Sequence, residues 1–90
     1  MIIKKSVFYI QQLQNILRYI AEDNPYAALG FEKELNAKLS IIKQSPFMCR
    51  TSIYFESEHY RDLIHKGYTI IFKVNSEQII LLDIVKWQKQ

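Results

Sequence analysis

Glycine and proline are scarce in this sequence, with two of each in 90 residues. Such a chain has few places to turn sharply and little room for long loops. Cysteine occurs once, at Cys49, so no disulfide framework staples the fold, and an inert thiol is its ordinary role. No apolar run approaches the roughly 18 residues of a membrane-spanning helix, and the N-terminus lacks the apolar core of a secretory signal. We therefore expect a cytoplasmic protein with no membrane partner. Also missing are CxxC, HExxH, a glycine-rich phosphate loop and any Ser/His/Asp set in recognisable context. Their absence sets aside the best-marked metal, nucleotide and hydrolase sites, and we expect neither metal nor cofactor. His59 and His65 are six residues apart and cannot share a metal without a third ligand, so they read as surface histidines. Glu56, Glu58 and Asp62 read as a solvated acidic loop before they read as a pair for acid–base work.

What is present is 49% hydrophobic and 23% charged residues with a net charge of +3. That is the balance of a folded globular chain and excludes disorder. Ninety residues make one small domain, 1–90, with a single core. The mild positive charge permits an acidic or polyanionic partner without requiring one.

The organising stretch is Tyr60–Trp87. Tyr68–Val74 and Ile79–Val85 are dense in β-branched and aromatic residues and read as strands. Asn75-Ser76-Glu77 between them is a polar break of hairpin length. Tyr60–Ile64, set off by Lys66-Gly67, reads as a shorter third strand. Upstream, Ile2-Ile3 suggests a first strand docked on this meander. Tyr9, Leu13, Ile16, Leu17 and Ile20 then recur at helical spacing behind Ser6, a ready cap. Asn24-Pro25 ends that helix and starts another, which carries Ala28, Phe31, Leu35, Leu39 and Ile42 on one stripe until Ser45-Pro46. Phe47–His59 shows no pattern and reads as a connection. The expected fold is α+β with order β-α-α-β-β-β, a helical hairpin on one face of a small, mostly antiparallel sheet.

Two helices shelter one face only. Alternation sends Tyr68, Ile70, Phe72 and Val74 to one side and Thr69, Ile71 and Lys73 to the other. In Ile79–Val85 both sides are aliphatic, with Ile79, Leu81 and Val85 on one and Ile80, Leu82 and Ile84 on the other. Apolar surface should therefore lie away from the helices, covered by the connection, by the C-terminal residues or by a partner; a partner is favoured. Asp83 belongs on that open side, within reach of Arg61 or Lys73, because a lone carboxylate among core aliphatics costs several kcal/mol. The strand register that would decide this stays open, since a bulge could rescue either side.

Arg50, Arg61, Lys66, Lys73, Lys86 and Lys89 all fall in the sheet half, interleaved with Tyr54, Tyr60, Tyr68 and Trp87. Cations with aromatics suit a nucleic-acid backbone and unstacked bases, although lysines along a sheet edge explain most of them.

These motifs together resemble the RelE/ParE superfamily of bacterial toxins over nearly the full length. The carriers are Leu13 with Arg18-Tyr19-Ile20-Ala21, Asn24-Pro25, Ala27-Ala28, Phe31 and Leu35, then Tyr60-Arg61-Asp62-Leu63, Gly67–Val74 and Ile79–Trp87. The resemblance implies the toxin of a type II toxin–antitoxin pair, wrapped and neutralised by a cognate antitoxin. Leu63, Ile71 and Leu81 are the expected antitoxin-binding aliphatics. It implies one of two targets. A RelE-like toxin cuts mRNA on the ribosome with cationic side chains, here Arg61, Lys73 and Lys86, stabilising the phosphorane. A ParE-like toxin poisons DNA gyrase by contact, for which Arg61, Lys86, Trp87 and Lys89 are the candidates. The departures favour the ParE-like branch. Thr69 stands where the RNases carry arginine, Lys86 where histidine is common, and no tail follows Gln90 to supply a terminal tyrosine. A non-toxic antitoxin-binding module is the remaining alternative.

Overall fold

A computed structural model of the chain describes residues 1–86. Helix α1 (Val7–Asp23) starts at Ser6, whose Oγ accepts the Tyr9 amide at 3.0 Å. Tyr9 and Leu13 are buried, and Ile16, Leu17 and Ile20 pack partly buried beside them. Helix α2 (Pro25–Gln44) follows after one residue. Asn24 serves both ends of the junction: its N–H donates to the Ile20 carbonyl, closing α1, and its Oδ1 accepts from Tyr26 and Ala27. Proline at the first position of α2 lacks an N–H that the helix start would leave orphaned anyway. The buried stripe is Ala28, Phe31, Leu35, Leu39 and Ile42, as the spacing predicts.

Five strands form one sheet in the order β1-β5-β4-β3-β2. They are β1 (Ile2–Lys5), β2 (Arg50–Thr51), β3 (Tyr60–His65), β4 (Tyr68–Val74) and β5 (Gln78–Lys86). β1 runs parallel to β5, and the other pairs are antiparallel. The architecture is the expected helical hairpin on one sheet face, with β2 and a 3-10 turn at Pro46–Met48 added from the patternless connection. Lys66-Gly67 makes the β3–β4 turn with positive φ at both residues (48° and 83°), the backbone twist that two-residue hairpins favour.

The register resolves the problem in the last strand. Phe72 pairs with Leu81 but Ile71 pairs with Asp83, so Leu82 is an extra residue. The bulge resets the alternation. Ile79, Leu81 and Ile84 all reach the core beneath the helices, with Ile70, Phe72 and Val74 from β4. Strict alternation groups Ile79 and Leu81 with Asp83 and Val85 on one face; the bulge instead places Ile79 and Leu81 in the core and leaves Asp83 and Val85 on the open side. Asp83 lies opposite Ile71 on the open side, as expected, but neither Arg61 nor Lys73 partners it. Its Oδ1 accepts the Ile84 amide at 2.7 Å. Burial raises its carboxyl above the usual range, and that hydrogen bond partly offsets the rise.

Ser6 ties the bulge down. While its Oγ accepts from Tyr9, its hydroxyl donates to the Leu82 carbonyl at 2.9 Å, and its amide donates to the Leu81 carbonyl. One side chain thus caps α1 and serves the irregular stretch of β5. We expect Ser6→Ala to lower stability by about 1–2 kcal/mol, the sum of a lost cap and a lost hydrogen bond. Urea unfolding followed by circular dichroism measures it.

Away from the helices the sheet is less bare than strict alternation implies. Thr69 and Ile71 are buried, and Ile80 and Val85 are half-buried. Ile64 and, at the edges, Ile2 and Ile53 remain exposed. The apolar excess is smaller because the bulge hides Ile79 and Leu81 and because the connection folds over the β3 end of this face.

Candidate functional surfaces

Arg61 sits on the helix side of β3, opposite Phe72. Its Nε donates to the Glu58 carbonyl (2.9 Å) and its guanidinium to the Cys49 carbonyl (3.1 Å), and its charge lies 4.8 Å above the Phe47 ring. These contacts make it a brace between β3 and the connection. Lys73, opposite Tyr60, lies on the open face with its Nζ 5.5 Å from the Tyr60 ring, which stacks on Phe55 at 4.3 Å. Lys86 pairs with Tyr68 at the far end of β5 and is exposed. It borders a shallow groove of about 520 Å3 under α1, with Gln12, Asn15, Tyr19 and Tyr68.

The three cations therefore do not converge. Lys73 is on the opposite face from Arg61 and Lys86. The β4 partners of those two are four residues apart, about 13 Å at strand rise. No single phosphate can meet all three. Two of the groups that could move a proton are wholly or partly buried. Burial pushes the Cys49 thiol up, against a smaller opposing pull from Arg61. Burial also pushes the Tyr9 phenol up to about 12. Among the described residues, no group of three or more His, Cys, Asp or Glu is arranged to hold a metal ion. Trp87 and Lys89, expected at the target face, lie outside the described residues.

Two sequence expectations about titratable residues change. His65 is not a surface histidine: it is 1% exposed, with Nε2 3.1 Å from the Phe31 carbonyl and its ring edge-on to Phe31 at 4.7 Å. Its packing partner is 34 residues away, so local pattern gave no signal. Asp62 is not part of a solvated acidic loop. It is buried, it accepts the Ile53 amide at 3.0 Å, and Arg50 lies 3.3 Å away. Glu56 and Glu58 are exposed.

The expected antitoxin-binding set also divides. Ile71 belongs to the open face and Leu63 to the helix side, where it packs half-buried against the core. Leu81 is 0% exposed between sheet and helices and offers no surface to a partner. Exposed apolar side chains lie elsewhere, Val7, Phe8 and Ile10 at the start of α1 among them. Leu29 and Tyr26 stand on the helical hairpin, Phe47 and Met48 on the 3-10 turn, and Ile53, Tyr54 and Phe55 on the connection.

A family model described as the ParE toxin of the type II toxin–antitoxin system parDE matches residues 6–89. The chain belongs to the ParE toxin family. It is thus the toxin component of a type II toxin–antitoxin system, a role that implies an antitoxin partner. Among solved structures, the chromosomal ParDE TA system from P. aeruginosa is similar in fold. It superposes with a TM-score of 0.76 at 19% sequence identity, covering 98% of this chain and 97% of that one. No curated protein sequence matches this ParE-family chain. No helix among the described residues is long and apolar enough to cross a membrane.

Proposed function

We propose that this ParE-family toxin inhibits DNA gyrase by surface contact and that its antitoxin blocks that contact. The observation that carries this reading is the dispersal of Arg61, Lys73 and Lys86 over two faces and two ends of the sheet. A phosphoryl-transfer site needs its cations preorganised around one position, whereas a contact inhibitor needs only a shaped surface. Arg61, braced by two backbone carbonyls, is better suited to holding the fold than to meeting a target. The Lys86 end, with Trp87 and Lys89 beyond it, is the proposed target face. Tyr19 and Tyr68 beside Lys86 supply the aromatic area that contact surfaces favour.

The test uses purified protein on two substrates. We expect it to abolish supercoiling by gyrase and leave cleaved DNA, while mRNA on translating ribosomes stays intact. Lys86→Glu should weaken gyrase inhibition on the order of tenfold, the usual scale for reversing one interfacial charge. Codon-phased cuts in mRNA, with gyrase unaffected, would overturn the proposal in favour of a ribosome-dependent nuclease.

A further inference from the structure

Helices α1 and α2 leave a groove of about 410 Å3 along their seam, lined by Leu17, Arg18 and Ala21 from one helix and Ala28, Leu29 and Glu32 from the other. No strand residue borders it, so it lies on the side of the hairpin away from the sheet. Leu29 stands at its rim 66% exposed, while Ala28 beneath is buried. The seam is apolar except for two charges of opposite sign, one on each helix. Neither is engaged within the chain, because among the described residues the salt bridges are Arg50–Asp62 and Lys66–Glu34. The Glu32 charge reaches the interior, where it adds to burial in raising the Tyr9 phenol. At the roughly 1.5 Å rise of a helix, Arg18 and Glu32 stand about 9 and 12 Å from the Asn24 junction, and Ala21 and Leu29 about 4.5 and 7.5 Å.

An apolar seam with a cation on one wall and an anion at nearly the same level on the other is complementary to itself. A foreign segment fits it only by carrying the matching pair, whereas a second copy carries that pair necessarily. We propose that the seam is a two-fold interface between two copies of this chain, with the axis running along the hairpin. α1 of each copy then lies over α2 of the other, and the four helices form a bundle in which every neighbour is antiparallel. Each Arg18 meets the partner's Glu32. Each Leu29 settles against the partner's Ala21, a large side chain over a small one, and apolar surface that the free hairpin exposes is covered. Both sheets end on the outside of the pair, so their open faces stay clear for other contacts.

Sedimentation velocity on the free chain over a range of concentrations is the decisive measurement. We expect a dimer that dissociates on dilution. Arg18→Glu and Glu32→Arg should each weaken it about a hundredfold, roughly tenfold per reversed contact, because symmetry repeats each change on both sides of the axis. Both side chains lie outside the core, so the melting temperature of each variant in dilute solution should match that of the parent chain. Mixed in equal amounts, the two variants should associate again at close to the parent strength, since every pairing across the axis then joins opposite charges. Leu29→Asp should hold the chain monomeric, and mixing it with either charge variant should restore nothing. A chain that stays monomeric at every concentration would overturn the inference, as would a dimer indifferent to both reversals. Charge variants that dissociate but do not recover on mixing would also sink it. If the free chain is monomeric and Leu29→Asp instead prevents capture by purified antitoxin, the seam belongs to that protein and not to a second copy. Supercoiling by gyrase, measured separately on the same samples, tests the target without bearing on this interface.

Discussion

Phe72→Ala should remove most of the stability of this protein. The ring is 0% exposed and lies in the core with Tyr9, Leu35 and Leu81. Deleting a buried phenylalanine typically costs about 3–5 kcal/mol, from lost transfer energy and the cavity left behind. A domain of this size holds roughly 5–13 kcal/mol in total, so the variant should melt on the order of 15–30 °C lower. Differential scanning calorimetry measures the shift directly. A loss below about 1 kcal/mol would mean that the site collapses around the gap and that packing beneath the helices is loose. The variant also sets a control for function: toxicity lost together with fold says nothing about the target face.

Acid should destabilise the protein through His65, and the direction follows from its surroundings. Burial holds the imidazole below its ordinary 6.5, outweighing the pull of the Phe31 carbonyl, and Lys38 and Lys66 act in the same sense as burial while Glu34 opposes it. The contact with Phe31 uses Nε2, and Nδ1 is buried without a partner. Protonation there places a charge in the helix–sheet interface. In the unfolded chain the ring takes its proton near pH 6.5, so below that value the unfolded state binds more protons. Stability is therefore complete above about pH 6.5 and declines as the pH falls, by up to about 1.4 kcal/mol per unit, until the folded-state value is reached. Unfolding midpoints between pH 7.5 and 5 should show this decline, and His65→Phe should flatten it, because phenylalanine fills similar space and does not titrate. An unchanged slope in that variant would shift responsibility to the carboxylates.

Much of this architecture is written locally. The helix stripes need only a 3.6-residue period, and Asn24-Pro25 marks the junction by its own chemistry. β4 alternates without interruption, so the helix-facing set Tyr68, Ile70, Phe72 and Val74 follows from parity. What was not legible depends on partners distant in the chain. β2 is two residues long with both side chains exposed, and it exists because Asp62 and Arg61 lie opposite it. The bulge at Leu82 is invisible to a period-two argument, since alternation reads the same whether or not one residue is skipped. That one extra residue puts Ile79 and Leu81 in the core while Asp83 and Val85, which alternation groups with them, stay on the other face. Leu81 is misplaced for the same reason: alternation groups it with Asp83 on the open side, and the bulge puts the two on opposite faces. The cations were legible as a class of side chain, but their dispersal over two faces follows from the sheet.

The Ser6 hydroxyl and the Leu82 carbonyl are 76 positions apart, and β1 pairs with β5. β1 therefore finds its place only after β5 has been made. Local elements form early during synthesis, while such distant pairing waits on loop closure. β1 has no neighbour in the sheet other than β5, so a fragment that stops before Gln78 cannot complete it.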